Sequence, residues 1–182
     1  MNDVSERTTR PAAAIDINID IALLVLRIGI GAAALHAGLV KALDFGVAVD
    51  YLTADGWRLP ELAAFMVTAT ETLGGIGLLL GMFTPLMACA VVGAMLDAWA
   101  VNVSGAAFWS DPFNVPFLLV VGATTLLFAG AGAYSIDARL GARGRWSTKA
   151  AGVLFVIAIL AAVVTWIALK GTNPIHVTAP TG

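Results

Sequence analysis

Long apolar runs separated by short polar breaks set the pattern of this chain. Five stretches have the ~20 mostly apolar residues that cross a bilayer as a helix: 21–43, 60–82, 85–104, 113–133 and 149–170. Local signals mark several ends. Pro60 suits the first position of a helix, Thr84 and Pro85 predict an N-cap and first position, and Lys170 with Gly171 ends the last run. Two connections are longer than the rest. Loop 44–59, DFGVAVDYLTADGWRL, is amphipathic and aromatic and is expected along the membrane interface. Loop 134–148, YSIDARLGARGRWST, is basic. No internal repeat stands out. The expected architecture is an all-α polytopic membrane protein. It comprises a tail over 1–20 whose first 14 residues are mobile, a four-helix core over 21–140, an additional transmembrane helix over 149–170, and a tail over 171–182.

Composition makes the membrane unavoidable. Of 182 residues, 59% are hydrophobic and 12% charged, with a mean hydropathy of +0.90. Soluble domains carry about 25% charged residues, so this chain lacks the polar cover for a water-facing surface, and the lipid bilayer is its solvent. The net charge of −2 argues against a nucleic-acid partner. The lone cysteine, Cys89, lies in an apolar run with no CxxC and reads as a small core residue. The first 20 residues mix Asp3, Glu6, Asp16 and Asp20 with Arg7 and Arg10, a poor signal peptide, so the first span is read as retained.

Basic residues near the span ends set the expected orientation. Arg7, Arg10, Arg139, Arg143, Arg145 and Lys149 fall on one side, against Lys41, Arg58 and Lys170 on the other. The positive-inside rule then puts the N-terminus in the cytoplasm and the C-terminus outside, as five spans require. Trp57, Trp109 and Trp146 fall at boundaries, where aromatic belts form.

Charges inside the spans carry the chemistry. In RIGIGAAALHAGLVK, residues 27–41, a helical wheel aligns Arg27, Gly31, Ala34, Gly38 and Lys41 on one face, with His36 opposite. Small residues let a second helix come close, and two cations bracket that seam. Glu71 falls near the middle of the second span and Asp97 just beyond the middle of the third. A charge at the bilayer centre costs about 2.5–3.5 kcal/mol on insertion scales, so these groups must face inward and find partners. Matching the midpoints of the first two spans sets Arg27 ~8 Å from the level of Glu71 and predicts an Arg27–Glu71 pair. That pair either fixes helix register or holds a ligand headgroup. Lys41 reads as an anchor at a helix end. His36 reads as a helix-contact residue, with a shared polar site beside Asp97 as the alternative. Neither haem nor a metal is expected, because His36 and His176 cannot form a paired axial site within one bundle.

Three motifs, in order, resemble the DoxX family of small bacterial membrane proteins: LRIGIGAAALHAGLVKAL, ETLGGIGLLLGMFTP and GAGAYSIDARL at 130–140. Pro85 stands where the family's turn usually has arginine, and the span at 149–170 is additional to the usual four. The resemblance implies a DoxX-type four-helix membrane bundle in the bacterial inner membrane, linked to redox and oxidative-stress work. Quinone is the implied cofactor, and other membrane or soluble redox subunits, or a second copy, are the implied partners. Arg27, Gly38, Lys41, Glu71, Gly74, Gly75, Tyr134 and Asp137 match the motifs. In the resulting expectation Glu71 relays protons and Arg27 stabilises a reduced headgroup, while His36, Lys41, Asp97, Gly74 and Gly75 line the site. Tyr134, Ser135 and Asp137 form either a helix cap and turn or a docking surface beside Arg139, Arg143 and Arg145. Three functions stay open: a subunit or anchor of a quinone-linked oxidoreductase, a non-catalytic assembly protein, and a small proton-coupled transporter.

Overall fold

The computed structural model describes residues 6–141 and 147–178. Arg143, Arg145 and Trp146, and the outermost residues of both tails, lie outside the described residues. Seven α-helices follow in order among the described residues: α1 (Glu6–Leu43), α2 (Phe45–Ala54), α3 (Pro60–Leu80), α4 (Thr84–Ser104), α5 (Val115–Ala129), the short α6 (Ile136–Arg139) and α7 (Thr148–Thr165), with a 3-10 turn at Phe108–Ser110 between α4 and α5. A π-helical turn, Trp166–Lys170, extends α7. Four of the described stretches are long and apolar enough to cross a membrane: Asp16–Leu43, Pro60–Leu80, Thr84–Ser104 and Thr148–Lys170.

Two boundaries differ from expectation. Helix α1 starts at Glu6, so the first tail is helical from there on, with Pro11 inside its early turns. The fourth span is helical only over Val115–Ala129, 15 residues. At 1.5 Å per residue this covers ~22 Å of a ~30 Å core. The chain continues without helix through Gly130–Ser135, where Gly130 and Gly132 take φ of 81° and 72°, a region that favours glycine.

Glycines set how the helices meet. On α1, a Cβ added to Gly38 would lie 2.6 Å from the backbone nitrogen of Thr72, and one on Gly31 would lie 2.9 Å from that of Leu79. From the other side, Gly75 of α3 abuts the backbone of Leu35. The two helices therefore run antiparallel in backbone contact along the seam expected from the wheel. The register is offset from the matched midpoints by about two helical turns, ~10 Å, because the glycine contacts, not the span centres, decide it. Gly74 and Gly77 of α3 meet Val91 and Met87 of α4, and Gly93 and Cys89 of α4 meet the carbonyls of Ala158 and Leu154 on α7. Helix α3 is thus antiparallel to α4, and α7 runs parallel to α4. Ala34, Leu78, Val91, Val92, Leu126 and Leu127 form the core. Leucines, valines and phenylalanines on the outer faces stay exposed, such as Phe65, Leu73 and Val164, as lipid-facing helices require.

The loop at 44–59, expected along the interface, contains the helix α2. With Gly38 facing Thr72, α1 ends opposite the middle of α3, short of its start. Helix α2 then packs on α3. Trp57, expected in a boundary belt, is buried edge-on against Trp166, with ring centroids 5.8 Å apart. The Arg58 amide donates to the Leu169 carbonyl, and Lys170 pairs with Asp55 at 2.6 Å. The end of α7 is thereby tied to the loop before α3.

Candidate functional site

A cavity of about 660 Å³ opens among the end of α1, α2, α3, α4 and α7. Its walls are mainly apolar, including Val47, Tyr51, Trp57, Met66, Val101 and Ile157. Ligand pockets for small molecules typically span about 300–1,000 Å³ and combine apolar walls with a few placed polar groups. The charged groups here are Lys41, Glu71 and Asp97, with Asp44 at the exposed rim, and Tyr51, Thr70, Asn102 and Thr165 add neutral polar groups.

The pairing at depth differs from the expected one. Lys41 Nζ lies 2.7 Å from Glu71 Oε2 and also donates to the Ala37 carbonyl at 3.3 Å. Glu71 is buried at 2% exposure, whereas the Lys41 side chain keeps 32%. The two-turn offset of α1 on α3 brings Lys41, not Arg27, level with Glu71. Lys41 is therefore the partner of an intramembrane carboxylate rather than an anchor at a helix end. Asp97 projects into the same cavity from α4, about one helical turn along from Glu71. It has no hydrogen bond or ion pair among the described residues.

Arg27 works at the other end of the seam. Its Nη1 donates to the Ala131 carbonyl at 2.8 Å and its Nη2 to the Tyr134 carbonyl. These carbonyls belong to the non-helical stretch after α5, whose backbone lacks helical partners. Irregular backbone at membrane depth is tolerated only when protein satisfies it, and the planar guanidinium fork can serve two carbonyls at once. Asp20 of α1 accepts from the Ala133 amide at 2.9 Å. Ser135 caps α6, and Asp137 reaches across to α4: its two oxygens accept from the amides of Phe83 and Thr84 at 2.8 and 2.9 Å. The Asp137 amide donates in turn to the Gly81 carbonyl. Gly81, with φ of 63°, abuts Arg27 and Ser135, leaving no room for a side chain. The GAGAYSID segment is therefore a clamp joining α1, the α3–α4 turn and the end of α5. Tyr134 contributes its carbonyl to it, while its ring is exposed. The α4 N-cap is Phe83 rather than Thr84, and the capping carboxylate comes from Asp137.

Other expected site residues also sit elsewhere. His36 is exposed on the outer side of α1 and does not join Asp97 in the cavity, because it lies opposite the glycine seam. Gly74 and Gly75 pack against α4 and α1 and line no ligand space, and Gly38 belongs to the α1–α3 contact. Two residues of interest were not expected from the sequence: Asp44, three positions after Lys41, and Asp55, the partner of Lys170. The spacing of Lys41 and Asp44 across one turn at the end of an apolar run was the available signal. Among the described residues, no group of three or more His, Cys, Asp and Glu side chains is placed to hold a metal ion.

The DoxX family model matches residues 22–107, from α1 through the end of α4. The match stops before the clamp segment and α7. No curated protein and no solved structure matches the chain.

Proposed function

Residues 22–107 are a DoxX-family region of a multi-pass membrane protein, and on that premise we propose that the chain is a quinone-binding subunit or anchor of a membrane oxidoreductase system. The observation that carries this reading is the 660 Å³ apolar cavity with the Lys41–Glu71 pair and Asp97 in its wall. Apolar walls suit a ring and the start of a lipid tail, and the polar groups suit a headgroup. A bound quinone supplies electron and proton carriage between redox partners. The chain's own residues would orient it and handle protons. Lys41 directs its ammonium toward an acceptor at the head end. Glu71, held by Lys41 through Oε2, takes up or returns a proton at its other oxygen, the work expected of a buried acid–base pair. A partner subunit in the membrane or outside it supplies or receives the electrons. The arginine and lysine bias supports an orientation with the N-terminus in the cytoplasm.

Purification in mild detergent followed by organic extraction tests this. Co-purifying quinone, together with a loss of quinone-linked turnover of at least ~10-fold in Glu71→Gln, supports it. An undiminished rate in that variant removes Glu71 from the mechanism. A stoichiometric protein partner with no quinone shifts the assignment to an assembly subunit.

A further inference from the structure

His36 is a polar side chain turned toward lipid. It is exposed on the side of α1 opposite the glycine seam, and it has no hydrogen bond or ion pair among the described residues. Helix α3 covers Gly31 and Gly38, and α5 reaches α1 through Leu26 and Ile30, so neither lies over His36. Its depth follows from its neighbour: Leu35 abuts Gly75 of α3, five residues before α3 ends at Leu80. His36 therefore sits ~8 Å inside the end of that span, in hydrocarbon. Ionisable residues at such depth almost always face protein or a water-filled cavity and find a partner there. This chain supplies none, so the partner comes from outside it.

The surroundings of His36 say what kind of partner fits. Val25, Gly29, Ala32, His36, Leu39 and Leu43 are all exposed and follow one another at alternating steps of four and three residues. A face with that repeat meets the same face of a parallel helix along its length, and one polar residue within it sets register and copy number. Next to His36 the face is small: a Cβ on Gly29 would meet nothing within 4 Å, and Ala32 is one turn from the imidazole. Elsewhere the lipid-facing sides carry bulky groups such as Phe65, Leu73 and Val164. Small residues let helices in a membrane come close enough for side chains to bond across them. A neutral imidazole has one donor and one acceptor nitrogen, so it is complementary to a second imidazole. In a two-fold dimer each residue near the axis meets its own counterpart.

We propose that α1 is the interface with a second copy of this chain, related by a two-fold axis along the membrane normal, and that His36 hydrogen-bonds to its counterpart across that axis. The inference stands apart from what occupies the cavity, which lies on the other side of α1.

Sedimentation equilibrium of the full-length protein in density-matched detergent, over a range of protein-to-detergent ratios, measures the dimer constant. His36→Leu is expected to weaken the dimer at least ~10-fold, whereas His36→Asn, which keeps a donor and an acceptor, retains most of the affinity. Ala32→Leu, which keeps the histidine and fills the small part of the face, is expected to weaken it as well and serves as the second variant should His36→Leu lose its fold by gel filtration. In membranes, with Cys89→Ser as background, oxidation should link Ala32→Cys into a covalent dimer and leave Val164→Cys on α7 unlinked. A protein monomeric at every ratio overturns the inference. So does a dimer whose constant is the same in wild type, His36→Leu and Ala32→Leu, or equal cross-linking at positions 32 and 164.

Discussion

Lys41 Nζ stands 2.7 Å from Glu71 Oε2, linking the last turn of α1 to the middle of α3 within the cavity wall. The pair joins two helices already in backbone contact, so the carboxylate is inaccessible from one side and held by its cation on the other. This makes the interaction structural and functional at once, and the two roles can be separated.

Removing the cation should be worse than removing both charges. Lys41→Met strands a carboxylate that is 2% exposed. Breaking a buried pair costs about 3–5 kcal/mol, and the partial exposure of Lys41 reduces this to about 1–3 kcal/mol. The Lys41→Met/Glu71→Gln double variant should regain most of that loss. Thermal unfolding in detergent for the four members of the cycle gives the coupling; additive losses would mean that the pair contributes nothing.

Arg27 is expected to matter for the fold and not for ligand binding. Arg27→Lys keeps the charge but replaces a fork that serves two carbonyls with a single ammonium. One hydrogen bond to a charged group is worth about 1.5–3 kcal/mol, and a loss of that order should appear as a lower melting temperature. Quinone content per folded protein should stay at the wild-type level. A variant that folds as well as wild type yet binds no ligand would return Arg27 to the site.

Asp137 should behave as the N-cap of a helix more than fifty residues away in sequence. Asp137→Ala leaves the Phe83 and Thr84 amides without their acceptor, a loss of about 0.5–2 kcal/mol on capping scales. Hydrogen exchange should speed up in the first turn of α4 before it does in the middle of that helix. Unchanged protection at Phe83 and Thr84 would contradict the capping role.

Two glycines on α1 should respond in opposite ways to the same substitution. Gly38→Ala puts a methyl group against the Thr72 backbone and should destabilise by about 1–3 kcal/mol, the usual cost of overpacking. A Cβ added to Gly29 would have nothing within 4 Å, so Gly29→Ala should be neutral or stabilising by up to about 1 kcal/mol through helix propensity. Melting temperatures of the two variants suffice to compare them.

Hydropathy located the second and third spans to within a few residues: Pro60–Leu80 against 60–82, and Thr84–Ser104 against 85–104. Transfer from water to hydrocarbon is nearly a sum over local residues, so a single chain reports it directly. The α1 seam was legible for a similar reason, since helical periodicity assigns Gly31 and Gly38 to one face whatever that face meets. Glu71 and Asp97 stood out because a carboxylate inside an apolar run needs a reason.

Which groups meet is a different kind of information. The level of α1 on α3 depends on where two backbones can come within contact distance, and this moved the Glu71 partner from Arg27 to Lys41. The partners of Arg27 are main-chain carbonyls over a hundred positions away, and a carbonyl has no letter of its own in the sequence. Asp137 likewise looks like the opening of its own short helix until folding carries it to α4. Local free energies thus wrote the spans, the seam and the list of buried charges into the chain. Pairing, cavity and clamp came from packing, because each depends on the relative positions of segments that are distant along the polypeptide.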